Sequence, residues 1–383
     1  MLISVAIMHH PARAERLPAL VDACRPLLPR VVRDPDPTGP SSPLRTAKRA
    51  WAQIEDGATH HLVLQDDAAL TPGFAGHLTD ALSRRPEHGV TLYSHWNSPQ
   101  NSYLVRRAAV AGSAWAPLSS AEWTPTQGFV LPVALARELA AYLEPIPDHV
   151  RDDDEMIALF CASRGVPVVA TVPHLVDHAA GPTLADHPGA FHATVFAAGR
   201  PLPSEHWRVD ERTVGELADR AGFRDPGSHV VEFVRSRCQL KFIRPGSGEP
   251  VEHYYGWHWR DWCGLAGFDD AQVLDGLDAA RVLAGFDTAR APAGLPRETQ
   301  TELWAAGYLL GADAATIPPG AVPARDDLVR AAVGSWIDSG LCPSDRSRLG
   351  PGAREALADL GVTAVEQGLR HRHSGRGRAH VRA

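Results

Sequence analysis

HHLVLQDDAAL, residues His60 to Leu70, is the stretch on which the reading of the fold turns. A short apolar run ends abruptly on two adjacent carboxylates, Asp66 and Asp67. Buried parallel strands read as such runs, and open α/β sheets bind ligands beyond the carboxyl ends of their strands. The two acids therefore belong at the lip of a cleft, where a hard cation can bridge them to a phosphate.

The flanking sequence supports a strand in that position. Leu2 to Met8 reads as a first strand ending at His9, His10 and Pro11. The next helix places Leu17, Leu20, Val21, Cys24 and Leu28 on one face. Val31 and Val32 form a second short strand, the Pro- and Gly-rich DPDPTGPSSP from Asp34 to Pro43 is a loop, and residues 44–54 are helical. Downstream come a helix over 74–84, a strand over 90–93, and an irregular region holding Trp96, Trp115 and Trp123. GFVLP, from Gly128 to Pro132, leads into a helix over 133–143. A further helix over 152–164 opens on acids that suit its positive end, and a strand follows over 166–172. Strands alternating with helices predict an α/β fold, Rossmann-like, with a mostly parallel central sheet.

Past residue 200 the texture changes. Residues 230–243 read as a hairpin or strand pair, and short Ala- and Leu-rich helices alternate with Pro and Gly breaks from Asp269 onward. The expected organisation is a first domain over 1–200, a smaller, mainly helical domain over 201–369, and a basic disordered tail over 370–383 with five Arg and three His.

Composition narrows the function classes. A chain of 383 residues is long enough for two domains, and a net charge of −7 argues against a broad nucleic-acid surface. The five cysteines are scattered with no CxxC pair, so neither a zinc knuckle nor a disulfide framework is indicated. No stretch approaches the ~20 apolar residues of a membrane helix, and the N-terminal apolar run is short for a signal peptide, so the expectation is a cytoplasmic protein without an integral membrane segment.

Four pieces occur in order through the first half: Gln65-Asp66-Asp67 at the strand end, TQGF (Thr126 to Phe129), RDDDE (Arg151 to Glu155) and VDH (Val176 to His178). In that order they resemble the glycosyltransferases of the A fold (GT-A), which transfer a sugar from a nucleotide donor. Those enzymes carry a DxD-type motif after a central strand, a glycine loop before a helix, an acidic motif heading a helix, and a late metal-binding histidine. LVLQDDAALTPGF is also similar to the "LEDD" segment of lipopolysaccharide-type bacterial transferases. The resemblance covers roughly residues 1 to 195. Gln65 stands where relatives often have an acid.

The resemblance implies a metal-dependent, hexosyltransferase-type enzyme with Mn2+ or Mg2+ as cofactor. It would move a sugar from a nucleoside diphosphate to an acceptor hydroxyl or amine, with inversion. Asp67 and His178 would be the metal ligands, and Asp66 would assist the metal or the ribose. Asp154, with Asp153 beside it, would be the base that deprotonates the acceptor. His9, Pro11 and Arg13 are candidates for base or phosphate contacts, Gln127 and Gly128 for sugar contacts, and Arg45, with Lys48 near it, for added phosphate charge. Two other readings remain open, a nucleotidyltransferase and a non-catalytic glycan- or protein-binding module. The nucleotidyltransferase is expected to carry a Gly- and Lys-rich phosphate loop after its first strand, and MHHPAR is not one. The aromatic segment HYYGWHWRDWCG, from His253 to Gly264, reads as an interface anchor before a glycan platform, and as no metal site.

Overall fold

The computed structural model describes residues 1–150, 152–179, 190–196, 199, 202–286, 295–320, 325–350 and 352–375, with the side chains of 371–375 left out. Its strands, in chain order, are β1 (Ile3–His9), β2 (Arg30–Arg33), β3 (His60–Gln65), β4 (Ala68–Leu70), β5 (Gly89–Thr91), β6 (Trp115–Pro117), β7 (Gly128–Pro132), β8 (Val168–Thr171), β9 (Val176–His178), β10 (His229–Val234) and β11 (Arg237–Phe242). The chain divides into two compact units. The first comprises Met1–His95 and Glu122–Val209, and the second Trp96–Ala121 and Asp210–Ala383.

In the first unit the main sheet runs β2-β1-β3-β7-β5-β8. β1 pairs in parallel with both β2 and β3, β5 pairs in parallel with β8, and β7 is antiparallel to β3 and β5. Five strands therefore point one way and one points back, which makes a mixed but mostly parallel α/β sheet. The apolar side chains of β1 and β3 are buried along nearly their whole length, as strands covered on both faces require. One face packs Leu44, Ala47 and Trp51 of helix Pro43–Trp51, together with Ala136, Leu139 and Phe160 of the two later helices, against Val63 and Phe129. Helix Pro43–Trp51 starts where Ser42 accepts from the Arg45 N–H at 3.3 Å with proline at the first helical position. Helix Asp153–Arg164 opens on three acids and closes on Gly165 at φ +64°.

Register positions the strand ends. In the β1–β3 ladder Met8 faces Gln65, so the residues that follow, His9 and Asp66, emerge side by side. In the antiparallel β3–β7 ladder Leu64 faces Gly128, so Gln127 arrives at the same edge, and the Gln65 N–H donates to its carbonyl at 3.2 Å. A two-stranded ribbon, β4 with β9, places Ala68 opposite His178. The GFVLP segment leads into helix Val133–Leu143 as expected, and is itself a strand. Gly128 is needed there for packing: a Cβ would lie 3.1 Å from Val176 and 3.2 Å from Leu64.

The second unit is mainly helical. β10 and β11 form an antiparallel hairpin whose two turn residues, Arg235 and Ser236, take positive φ, as hairpin turns that match strand twist require. Helices Arg297–Ala314 and Ala353–Gly375 pack closely because glycines line their contact: a Cβ on Gly311 would fall 2.1 Å from the Val365 carbonyl oxygen. The long C-terminal helix continues through Gly375, into the region expected to be tail, and residues 376–383 lie outside the described residues. Among the described residues no helix is long and apolar enough to cross a membrane.

Candidate functional site at the strand ends

The carboxyl ends of β1 and β3 build a charged cluster within the first unit. Asp66 and Asp67, respectively 4% and 3% exposed, share the guanidinium of Arg13, whose Nη1 lies 2.9 Å from Asp66 Oδ1 and 2.5 Å from Asp67 Oδ2. Asp66 Oδ2 also accepts from the backbone N–H of His10 at 2.7 Å and lies 3.0 Å from His9 Nδ1. Pro11 begins the single 3-10 turn that carries Arg13 back over the acids. The first-strand residues His9, Pro11 and Arg13 therefore fall at one place with the acidic pair.

His178 reaches the same place from β9, with its Nε2 3.2 Å from Asp67 Oδ2. Its Nδ1 lies 3.0 Å from the Ala179 carbonyl oxygen, an acceptor only, so Nδ1 carries the proton and donates. Nε2 therefore faces an anionic oxygen, and that contact is favourable only with a second proton or a cation between the two atoms. Phe191 packs on the imidazole with ring centroids 5.2 Å apart. Gln127 Nε2 donates to Asp67 Oδ1. Burial pushes the Asp67 carboxyl toward the neutral form, but the hydrogen bond and charge of His178, the charge of Arg13 and the amide of Gln127 outweigh it and hold the carboxyl below its ordinary value.

The acids heading helix Asp153–Arg164 join this cluster through one hydroxyl. Thr126 Oγ1 accepts from Gln65 Nε2 at 3.1 Å, and its hydroxyl works against the rise of the Asp153 carboxyl. Asp153 is 4% exposed, and burial first, then the charge of Asp154, raises its carboxyl to about 7. Asp154 is also raised, chiefly by burial; its Oδ1 accepts from the Glu155 N–H of its own helix at 2.7 Å. Arg151, the first residue of RDDDE, lies outside the described residues.

Arg45 stands elsewhere. Its guanidinium forms a two-pronged pair with Asp34 at 2.9 Å on each side and donates to the carbonyls of Asp36 and Pro40, so it ties down the Pro- and Gly-rich loop. Lys48 is held by Asp148 at 2.7 Å and by the Ile146 carbonyl. Two contributors escaped the sequence reading. Tyr93, just past β5, donates its hydroxyl to the Phe191 carbonyl at 2.7 Å, and Asp177 accepts from the Ala193 N–H at 2.6 Å; together they tether the segment that carries Phe191 over His178. Asp177 was visible as the middle of VDH, whereas nothing about a lone tyrosine after a strand marks it.

In the second unit, the aromatic segment divides between core and surface. Trp259 is fully buried, His253, Trp257 and Trp262 pack ring against ring, and Tyr254 and Tyr255 are exposed. His258 is paired with the buried Glu302 at 3.0 Å.

The first unit contains a donor set that suits a divalent ion in part. Asp67 Oδ2 and His178 Nε2 are about as far apart as neighbouring ligands of one such ion, and carboxylate with imidazole suits manganese. Among the described residues no group of three or more His, Cys, Asp or Glu is arranged to hold a metal. A bound cation would therefore complete its shell with substrate phosphate and water, as Mg2+-type sites usually do.

No family model matches the chain, and no curated protein matches it. Among solved structures, it is similar to S. aureus TarS 1-349 in complex with UDP-GlcNAc, at 12% identity and a TM-score of 0.33, over 100% of this chain and 93% of that one. A second TarS 1-349 structure gives 11% identity and a TM-score of 0.32 over the same shares. The inositol-1-phosphate CTP transferase from T. maritima gives 11% identity and a TM-score of 0.28 over 49% of this chain and 72% of that one. At these values the fold description rests on the strand order and register of the chain itself.

Proposed function

We propose that the first unit is a nucleotide-sugar-dependent glycosyltransferase of hexosyltransferase type, working at the carboxyl ends of β1 and β3. The observation that carries this reading is the meeting of Asp67, His178 and Arg13 at one point, with a carboxyl raised to about 7 joined to them through Thr126, Gln65 and Gln127. A diphosphate leaving group needs positive charge beside it, and the acceptor needs a base poised near working pH. Arg13 supplies the first, as the guanidinium beside both acids, and its buried Nε has no hydrogen-bond partner among the described residues. Asp67 and His178 would hold Mn2+ or Mg2+, which when bound supplies Lewis-acid stabilisation of the departing diphosphate. A cation held by Asp67 and His178 would compete with Arg13 for Asp67, and Arg13 would keep its contact with Asp66.

Between the two acids heading the helix, we take Asp153 as the base, because it is the more buried, its carboxyl is raised to about 7, and Asp154 is engaged by the N–H of Glu155. Asp153 would accept the proton of an acceptor hydroxyl or amine as that atom attacks the anomeric carbon. Displacement from the face opposite the diphosphate inverts the sugar. Gln65, an amide, is placed to fix Thr126 and not to bind a cation itself.

A second reading rests on Arg13. Its guanidinium already bridges both aspartates, and so can act in place of a metal ion. One assay series separates these possibilities: a panel of nucleotide sugars is incubated with the full chain, with manganese or with EDTA, and the nucleotide products are followed. Manganese-dependent release of nucleoside diphosphate is expected. Release that survives EDTA moves the charge-stabilising role to Arg13. Release of pyrophosphate from a nucleoside triphosphate and a sugar phosphate replaces the proposal with a nucleotidyltransferase, and donor binding without any product makes the fold a binding module.

A further inference from the structure

The first unit holds a second concentration of charge, unused by the strand-end cluster. β2 lies at the edge of the sheet, and with the last turn of helix Pro43–Trp51 it encloses a groove of about 450 Å3 lined by Arg30, Arg33, Lys48, Arg49 and one acid, Glu144. The chain carries −7 overall, so four cations against one carboxylate is a local reversal of sign. Lys48 is partly neutralised by Asp148. The guanidiniums of Arg30, Arg33 and Arg49 are exposed and make no hydrogen bond or ion pair with any described residue. Three positions apart on an extended strand, Arg30 and Arg33 stand about 10 Å from each other along the sheet edge and leave the strand on opposite faces, so they border the groove from the two sides of that edge.

Two ordinary roles exist for such residues. Charge on an edge strand discourages pairing with other chains, and cations in the last turn of a helix complement its dipole. Each accounts for two of the four cations; neither calls for both sets to border a single concavity. A guanidinium fork matches phosphate oxygens in two-pronged geometry, and the groove is of a size that holds small molecules.

We propose that this groove binds a small anion carrying two or more linked phosphate groups, at a site distinct from Asp66, Asp67, Arg13 and His178. The inference does not depend on the transferase reading. Its test is calorimetric titration of the full chain with tripolyphosphate and, in parallel, with orthophosphate. Three variants are compared: Arg30→Glu/Arg33→Glu/Arg49→Glu, the same three positions changed to Lys, and Arg13→Ala. Saturable tripolyphosphate binding that weakens with added salt is expected. The Glu variant should lose at least about tenfold in affinity, the sum of several exposed ion pairs, with circular dichroism unchanged. The Lys variant, which keeps the charge but not the fork, should bind with affinity between the parent and the Glu variant, and Arg13→Ala should retain the groove site. Absence of saturable binding overturns the proposal. So does loss in Arg13→Ala with retention in the Glu variant, which assigns the anion to the strand ends. Equal affinity for orthophosphate overturns the requirement for linked phosphates.

Discussion

Two buried aspartates in the first unit, Asp67 and Asp153, are pushed in opposite directions by their surroundings. Asp67 and Asp153 are about equally buried, at 3% and 4% exposure. Asp67 lies under Arg13 and His178 and is held below the ordinary carboxyl value. Asp153 receives a hydroxyl from Thr126 but has the charges of Asp154 and Asp152 beside it, and rises to about 7. Burial raises both and is the larger cause at Asp153; the cations and hydrogen bonds around Asp67 are what reverse the direction there. Carboxyls driven apart in this way divide the labour of a site, one staying ionised and the other exchanging a proton near neutrality.

The most severe way to break the contrast is Asp67→Ala, which leaves Arg13 and His178 without their shared carboxylate. We expect turnover to fall on the order of 10^3-fold, and stability to fall by about 1–3 kcal/mol, since Arg13 keeps Asp66 while the buried hydrogen bonds to Asp67 are lost. Nucleotide release and thermal melting measure the two effects, and turnover within tenfold of the parent contradicts the role given to Asp67. Next in size is Asp153→Asn, expected to lower turnover by about 10^2-fold or more while donor affinity, measured by titration, is kept. Asp154→Asn is expected to lower it less, since that carboxylate is engaged by its own helix; the reverse order returns the role of base to Asp154.

Asp153→Asn also has an opposite effect on stability. A carboxyl raised in the folded state from an ordinary 3.8 to about 7 favours folding least where it must ionise, so the parent loses stability as pH rises between those values. The variant should therefore melt above the parent at pH 8 and show no such advantage at pH 4. The smallest effect concerns Thr126→Val. kcat/KM of the parent should rise with pH through about 7 as Asp153 ionises. Removing the hydroxyl that favours the ionised form should move that rise to higher pH, and an unmoved profile disconnects Thr126 from the titrating group.

The sequence made the β1 and β3 ends legible because buried parallel strands are apolar runs with abrupt polar ends, and Leu2–Met8 and His61–Leu64 fit that pattern. It also singled out Asp67 and His178 as partners across more than a hundred positions, through the order of motifs and not through any local signal. Strand direction was hidden. GFVLP is equally apolar whichever way it runs, and only the ladders with β3 and β5 reveal it as the reversed strand. The segment over 96–121 was hidden for another reason. Helix Asn101–Val110 is buried on every side, including Arg106 and Arg107, so no polar face marks its period. Arg106 is satisfied there by the carbonyls of Ala332, Ser102 and Trp96 and by the ring of Trp336, none of which adjoins it in sequence except Ser102. Arg45 shows the remaining limit. A cation one turn from Lys48 looks available for phosphate until the loop carrying Asp34 folds back on it.

The ribbon formed by β4 and β9 has only three rungs, Ala68 with His178, Ala69 with Asp177 and Leu70 with Val176. Side chains on an extended strand alternate between faces, so a one-residue slip in so short a ladder presents Asp177 where the imidazole now stands. Exchange of side chains along these two arms leaves that alignment intact, whereas adding or deleting a single position does not. Grafts and chimaeras of this unit must therefore conserve the length of both arms before their composition.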